Sequence, residues 1–475
     1  MRTRPAGIVL ALSICAACAT NPVTGKSQFM LMSESQEIAM GKQLLTQTEQ
    51  ESGFYPDTGL QRYVAAIGMR MARESERPNL PWEYHVIDDP AVNAFAAPGG
   101  FVFVTRGILA YLNSEAELAA VVGHETGHVT ARHSAAMASQ QLGIQGVFGV
   151  GSILNPKLAQ GVLGQVAGVG ASLYFLKFSR NDERQADGIG HRYALHDRYD
   201  PREMPKTFQT LQRVSNTGSN RMPGFLSTHP DPGDRVQYTQ AWADTVSSYA
   251  GLSVDRDRYL SQINGMLFGD DPQQGYFDGV RYLHPVLRLR FDAPTGWQGA
   301  NQRTQVILAE PNGKAQITFS EAKGKSPDAA AQAFVAQAGI SNGGMQRTSV
   351  NGDAATAVQF SAMMSDSTPL RGEVFFVQHG SGVFQFLGVS LAASWSAFGG
   401  VIDQSLRSFG PTAANQAFRQ QKRLRIVTLS RATAIGDLAT QSGGAITLQD
   451  LAIINGVAET ATLAAGTRVK TVGYR

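Results

Sequence analysis

The 475-residue sequence contains only two cysteines, Cys15 and Cys18, and both lie close to its first residue. No disulfide and no cysteine ligand is therefore expected in the folded part of the chain. Charged residues are also few, at 17%, and nearly cancel to a net charge of +3. This balance gives no reason to expect nucleic acid or an acidic surface as a partner.

Long hydrophobic runs are equally scarce, and the first one lies at the start of the chain. Ile8–Ile14 follows two arginines and is too short to span a bilayer, which is typical of a signal peptide. The small residues that precede Cys18 resemble a bacterial lipobox. Residues 1–18 are therefore expected to be a lipoprotein signal with Cys18 as the lipid-bearing residue, and a plain secretory signal is the alternative. Ala19 favours a site on the periplasmic side of the outer membrane.

A second apolar segment, Gln141–Phe178, is rich in glycine, alanine and valine. Its most apolar part is interrupted by Gln160 and Gln165, so a transmembrane helix has little support. Packed helices that cover an active site are the favoured interpretation. Contact of this segment with a membrane surface is the third interpretation.

The strongest chemical signal is the pentapeptide His124-Glu125-Thr126-Gly127-His128. On an α-helix, residues four apart share a face, so the two imidazoles can hold one Zn²⁺ while Glu125 serves as general base. Ser114 and Glu117 predict a capping box at the start of this helix. Two ordinary helix histidines are the alternative interpretation.

A downstream acidic segment can supply the missing ligand. Glu183 and Asp187 are four residues apart, and Glu183 can be the third protein ligand. Asp187 can accept a hydrogen bond from the free ring nitrogen of His124, which fixes the tautomer of a zinc-bound histidine. Most such acidic clusters are solvated helix faces, but a His-Glu-x-x-His helix needs a third ligand.

Taken together, these blocks resemble a known family, the HtpX and CAAX-prenyl-endopeptidase group of zinc metallopeptidases. The similar blocks are Asn93–Phe95, Pro98–Gly107, the His-Glu-x-x-His helix with Arg132-His133 after it, Glu183–Asp187 and Ser227–Pro230. Residues 28–265 are most similar to bacterial periplasmic lipoprotein proteases, including the β-barrel-assembly-enhancing type. The resemblance implies a mainly α gluzincin domain with a small β-sheet, in which His124, His128 and Glu183 bind one zinc ion and Glu125 is the base.

The same resemblance places His229 near the metal. There it would stabilise the oxyanion of the reaction or act as a fourth ligand that closes the site at rest. A loop histidine that stabilises the turn beside Pro230 is the alternative. Arg235, a little further along the chain, is expected to order that loop through an ion pair.

The strand predicted at Phe101–Thr105, before the metal helix, is the candidate substrate site. An open edge on this strand could pair with an extended peptide, with Asn93, Gly100, Phe101 and Val102 as the binding residues. A buried hairpin is the competing interpretation.

The rest of the chain is long enough for further domains. Residues 19–30 predict a tether. Residues 280–410 show strand and helix patterns of an α+β domain without a recognisable catalytic motif. Residues 423–475 predict a β-α-α-β module that resembles a LysM domain, a family that binds N-acetylglucosamine-containing glycans, although Arg431-Ala432 replaces the Gly-Asp pair that is usual before its first helix.

We therefore expect a lipid-anchored zinc metalloendopeptidase of the bacterial cell envelope, which hydrolyses misfolded or unassembled envelope proteins. A chaperone-like scaffold lipoprotein with little proteolysis is one alternative, although the retained Glu125 argues against a pure pseudoenzyme. A cell-wall-binding protein that acts on peptidoglycan peptides is the other, and only residues 423–475 favour peptidoglycan as a partner.

Overall fold

The computed structural model of the chain describes residues 18–148, 178–217, 225, 229, 232–364 and 367–474. These residues fall into two compact units. Unit 1 comprises the described residues up to 270 and those from 422 onward, and unit 2 comprises residues 271–421. In sequence, unit 2 is therefore an insertion between two parts of unit 1.

Within the described residues, the α-helices are α1 (Glu34–Glu51), α2 (Thr58–Glu74), α3 (Arg106–Tyr111), α4 (Glu115–Thr130), α5 (His133–Phe148), α6 (Arg180–His196), α7 (Glu203–Ser215), α8 (Pro232–Asp244), α9 (Arg256–Gln262), α10 (Pro327–Val335), α11 (Trp395–Arg407), α12 (Ile435–Gln441) and α13 (Leu448–Ile454). The strands are β1 (Cys18–Thr20), β2 (Ser27–Phe29), β3 (Glu83–Ile87), β4 (Ala94–Ala97), β5 (Phe101–Thr105), β6 (Tyr276–Asp278), β7 (Arg281–His284), β8 (Leu289–Asp292), β9 (Gln298–Asn301), β10 (Gln305–Ala309), β11 (Ala315–Glu321), β12 (Ser341–Val350), β13 (Asp353–Met363), β14 (Pro369–His379), β15 (Gly382–Leu391), β16 (Gly410–Pro411), β17 (Lys422–Thr428), β18 (Thr433–Ala434), β19 (Thr462–Leu463) and β20 (Arg468–Tyr474).

Helix α4 is the centre of unit 1, and every one of its residues is buried. Ser114 caps it by accepting a hydrogen bond from the backbone N–H of Glu117 at 3.1 Å, as the sequence predicts. The reciprocal half of the predicted capping box does not form. The Glu117 carboxylate instead accepts the backbone N–H of Asn113, the residue before the N-cap Ser114, at 2.7 Å.

The prediction of a tether at residues 19–30 is wrong. Strands β1 and β2 form an antiparallel hairpin, and the side chain of Asn21 closes its turn by accepting the backbone N–H groups of Val23 and Thr24. The amide of Asn21 also donates to the carbonyl of Ala131, at the C-terminal end of α4. The polar residues of this segment are thus used for local and long-range hydrogen bonds, which a composition argument cannot detect.

Of the two interpretations of Phe101–Thr105, the open edge is wrong and the buried hairpin, formed by β4 and β5, is observed. Strand β5 is the central strand of a three-stranded sheet, with β3 parallel on one side and β4 antiparallel on the other. All five residues of β5 are buried. An uninterrupted apolar run is the pattern of a strand with both faces covered, and here both of its edges are paired as well.

Residues 422–474 pack into unit 1 instead of forming a separate domain. Strand β17 pairs with β20, with α12 and α13 between them in sequence, so the predicted order of two helices between two strands is observed. The side chain of Lys470 is fully buried and donates to the carbonyls of Ala110 and Leu112, at 2.9 and 2.6 Å. Arg213 of α7 donates to the carbonyl of Val457 at 2.7 Å. This module therefore shares the core of the helical region.

Unit 2 is β-rich. Its seven-stranded antiparallel sheet has the order β12-β13-β14-β15-β11-β10-β9. Successive side chains of β14 lie on opposite faces of the sheet. Phe375 packs with the α11 residue Ile402, whereas Phe376 packs with the α10 residue Phe334. One helix thus covers each face of the sheet. In the same unit, β7 and β8 pair as an antiparallel hairpin.

Among the described residues, no helix combines the length and apolar character that a membrane crossing requires. The predicted signal segment up to residue 17 lies outside the described residues, as do most of 141–178 and the motif residues Ser227, Thr228 and Pro230.

Candidate metal centre

Glycines bring α4 and α6 unusually close together. A Cβ atom added to Gly190 of α6 would lie 2.7 Å from the backbone nitrogen of His124, and one added to Gly127 would lie 2.9 Å from the carbonyl oxygen of Ala186. The two helix backbones can approach this closely because Gly190 and Gly127 have no Cβ atom. The approach places the acidic face of α6 against the two histidines of α4.

Four buried side chains converge at this crossing, namely His124, His128, Glu183 and His229. One ligand atom from each lies within 4.8 Å of all the others. The Nε2 atom of His124 is 3.0 Å from Nε2 of His128 and 3.3 Å from Nδ1 of His229. Nδ1 of His229 is in turn 2.7 Å from a carboxylate oxygen of Glu183.

These distances fit a zinc ion. Ligand atoms about 2.0–2.1 Å from a tetrahedral zinc ion lie roughly 3.3 Å from one another. Neutral imidazole nitrogens that face each other without a shared proton are otherwise unfavourable in a buried site, and a cation removes that cost. Burial lowers the pKa of His124 to about 3, with Arg235 adding to the effect, so this ring is neutral and able to act as a ligand.

Glu125 lies inside the site without being one of the four converging ligands. Both of its carboxylate oxygens are buried, and neither has a hydrogen-bond partner among the described residues. One oxygen is 3.6 Å from Nε2 of His229. Burial raises the pKa of Glu125 to about 8, against the opposing effect of His128. A buried carboxylate with free oxygens and a pKa near neutrality suits proton transfer.

Asp187 and Arg235 form the outer layer of the site. Asp187 accepts Nδ1–H of His124 at 2.8 Å, which directs the other ring nitrogen into the cluster. Arg235 donates to Asp187 through Nε at 2.9 Å and lies 2.9 Å from Glu183. Burial would raise the pKa of Asp187, but Arg235 and then His124 outweigh it and lower the pKa to about 2. Arg235 thus pairs with carboxylates of α6, and the sequence did not predict this partner.

Sequence reasoning assigned no role to His133, which supports the second histidine ligand. Its Nδ1 atom is 3.0 Å from Nδ1 of His128, and its Nε2 atom is 3.1 Å from the side-chain oxygen of Gln185. With Nε2 of His128 directed into the cluster, His128 donates to His133 and His133 donates to Gln185. The only signal was the Arg-His pair after the motif. Arg132 adopts a φ of 65°, which ends α4 and turns His133 back toward His128.

Two aromatic rings also enclose the cluster without a sequence signal. Phe178 lies 4.0 Å from His128 and Phe225 lies 4.4 Å from His229, both measured between ring centroids.

The structure does not bring the candidate substrate residues to an open strand edge. Gly100, Phe101 and Val102 are buried, with Phe101 and Val102 in the central strand of the sheet. Asn93 precedes β4, and its backbone N–H donates to the hydroxyl of Thr105 at 3.1 Å. In the described sheet the outer strand on this side is β4. Cys18 lies in β1, at the start of the described residues.

Residues 59–243 match the family model described as Peptidase family M48. The chain contains an M48 peptidase domain. This match includes the pentapeptide, the acidic pair of α6, His229 and Arg235, so the resemblance inferred from the motifs is confirmed.

The M48 region is similar to a bacterial protease and to a mitochondrial metalloendopeptidase. It is 32% identical over 225 residues to the beta-barrel assembly-enhancing protease of Escherichia coli, covering 46% of each chain. It is 33% identical over 198 residues to the mitochondrial metalloendopeptidase OMA1 of Arabidopsis thaliana, covering 41% of this chain and 39% of that protein. The matched region thus spans less than half the length of either relative.

Among solved structures, the cyanobacterial PsbP protein of Synechocystis sp. PCC 6803 matches 29% of this chain and 98% of its own. The identity is 14% and the TM-score 0.24, so this similarity supports no conclusion about fold or function.

Proposed function

We propose that this protein is a zinc metalloendopeptidase. The observation that carries the proposal is the buried convergence of His124, His128, Glu183 and His229 beside the carboxylate of Glu125, which has no hydrogen-bond partner among the residues that the structure describes. The similarity of the M48 region to named metalloendopeptidases supports the same reaction class. His124, His128 and Glu183 would hold the metal.

A bound zinc ion would supply Lewis acidity, which polarises the scissile carbonyl and makes the attacking water more acidic. Glu125 takes the proton from that water and delivers it to the departing amine. Its burial and its free oxygens support this role, because a general base must reach the proton without being held by another group. Asp187 and Arg235 keep His124 in the ligating tautomer throughout.

His229 is proposed to close the site at rest. Its Nδ1 atom faces His124 and Glu183, whereas its Nε2 atom faces Glu125. In this position the ring occupies the space next to the base. We propose that substrate displaces His229, which then donates to the carbonyl oxygen that becomes negatively charged.

An extended peptide is proposed to pair with the outer edge of β4. In this sheet β5 is paired on both sides, so β4 is the strand available for β-addition next to α4. Proline has no backbone N–H to donate. A proline on the N-terminal side of the scissile bond of a test peptide, at a position whose N–H would donate to β4, should therefore weaken binding.

The protein is proposed to act in the bacterial cell envelope, with misfolded or unassembled envelope proteins as substrates and a lipid on Cys18 as its anchor. The lipobox-like residues before Cys18 and the similarity to the beta-barrel assembly-enhancing protease support this placement. Fractionation of wild type beside Cys18→Ser tests the anchor. Retention of the variant in washed membranes would contradict it.

Glycan binding by residues 423–475 is a second candidate function of the chain, supported by the two helices between paired strands. Because this module shares its core with the M48 region, the full-length protein should be used in a peptidoglycan pulldown. Recovery no greater than that of a control protein of similar charge would rule glycan binding out.

Metal analysis and a casein assay test the principal proposal. Wild type and Glu125→Gln should both bind one zinc ion per chain, and only wild type should hydrolyse casein, because Glu125 is not a ligand in this assignment. Full hydrolysis by Glu125→Gln would overturn the mechanism. Wild type without bound zinc would overturn the metal centre.

A further inference from the structure

The extended run from Phe29 to Met32 has two apolar faces. Met30 and Met32 point inward and pack with Ala135 and Ala138 of α5. Phe29 and Leu31 alternate with them and are exposed by 39% and 46%. Within the part of the chain that the structure describes, these two large apolar side chains form a patch without a covering partner.

This patch lies opposite the residue predicted to carry lipid. In the β1–β2 hairpin, the Cα partner of Phe29 is Cys18. Leu31 follows on the same outward face, and its backbone N–H is fixed by the hydroxyl of Ser139 at 3.0 Å. Lys26, at the tip of the hairpin, is exposed and adds a positive charge that suits anionic lipid headgroups.

We propose that Phe29 and Leu31 are a second membrane contact, which enters the headgroup–acyl boundary of the leaflet that holds the lipid on Cys18. The inference rests on the proposed lipid anchor. Its physical reason is that the acyl chains on Cys18 bring the bilayer surface to the neighbouring strand, where burial of two large apolar side chains is favourable.

The contact would hold the protease domain in a fixed orientation on the membrane. Two residues, Ala19 and Thr20, separate Cys18 from Asn21, a span of at most about 11 Å. Asn21 is buried and hydrogen-bonds the carbonyl of Ala131 at the end of α4. Residues 18–21, all of which the structure describes, therefore form no flexible linker between the proposed anchor and the helix that carries His124 and His128.

Tryptophan substitutions test the contact in full-length, lipidated protein reconstituted into vesicles. The vesicles contain phosphatidylglycerol and a phospholipid with brominated acyl chains, which quench nearby indole fluorescence. Phe29→Trp and Leu31→Trp should be quenched at least about twofold more than Val427→Trp after subtraction of the parent signal, because interfacial side chains are buried about 5–10 Å into the boundary. Val427 is a matched control, since it is exposed by 41% in the same unit.

Each outcome bears on a separate statement. Equal quenching at all three positions, in protein shown by mass spectrometry to be lipidated, would overturn the proposed contact and leave the anchor standing. Absence of lipid on Cys18 would overturn the anchor and this inference with it, but not the metal centre. Casein hydrolysis by the tryptophan variants should equal that of the parent in detergent, which shows that the substitutions preserve the fold.

Discussion

Gly190→Ala should damage the metal centre although no ligand is changed. The added Cβ would lie 2.7 Å from the backbone nitrogen of His124, where ordinary contact begins at 3.4 Å. The neighbouring atoms are backbone and cannot rotate away, so α4 and α6 must separate by about 0.7 Å, the difference between these two distances. Metal sites tolerate deviations of about 0.2 Å in ligand distance.

The magnitude follows from two opposing terms. Alanine in place of glycine inside a helix contributes about 1 kcal/mol of stability, whereas overpacking costs about 1–3 kcal/mol. We expect a net loss of up to about 2 kcal/mol in unfolding free energy. Because Glu183 moves with α6 while His124 and His128 remain on α4, zinc affinity should fall at least about tenfold, as it does when an outer partner of a ligand is lost.

Gly188→Ala is the matched control on the same helix. There the added Cβ would meet only the ring of Trp242, at an ordinary 3.8 Å. This variant should gain up to about 1 kcal/mol from helix propensity and keep its zinc affinity. Urea unfolding of the metal-free proteins and chelator competition for zinc measure both quantities. If Gly190→Ala bound zinc and unfolded like Gly188→Ala, the close crossing of α4 and α6 would not be what sets the ligand geometry.

The remaining predictions concern single polar groups of the site. Glu183→Gln should lose zinc, measured by metal analysis after dialysis, and stoichiometric zinc would remove Glu183 from the ligand set. His133→Asn should weaken zinc binding about 10–100-fold in chelator competition, because His128 loses the partner that orients its ring; unchanged affinity would make His133 a packing residue only. The pKa of Glu125 is raised from 4.5 to about 8 in the folded protein, so between those pH values the folded state retains a proton that the unfolded state has lost. The stability of the metal-free protein should therefore fall as pH rises through this window, and Glu125→Gln should remove that slope in urea unfolding; parallel curves for the two proteins would contradict the raised pKa.

The helices that carry the ligands could be predicted because their signals are local. The spacing of His124 and His128, and that of Glu183 and Asp187, is read within one turn of helix. The N-cap at Ser114 is equally local, and the structure shows it. The place where the two helices meet could not be read from spacing, although Gly127 and Gly190 make it possible.

Predictions failed where the deciding contact is distant in sequence. The apolar run at Phe101–Thr105 correctly predicts a strand, but only pairing with both β3 and β4 excludes an open edge. The polar composition of residues 19–30 predicts a tether. The contact that orders this segment joins Asn21 to Ala131, 110 positions along the chain, and leaves no signal in the local composition. Strand β12 was not predicted because it contains consecutive glycines and its residues are mostly exposed, so it lacks the apolar alternation of a half-buried strand.

The burial of Lys470 ties the end of α3, just before the metal helix, to a late event in synthesis. Its amine donates to the carbonyls of Ala110 and Leu112, yet a ribosome must first make all of residues 271–421, which takes about 8–30 s. Residues 266–268 and 422–424, which flank the insertion in sequence, are hydrogen-bonded to each other, and this pairing can form only after residues 422–424 have been made. The surroundings of the metal helix are thus completed only after most of the chain has been made, a delay that would keep a nascent peptidase incomplete during its own translation.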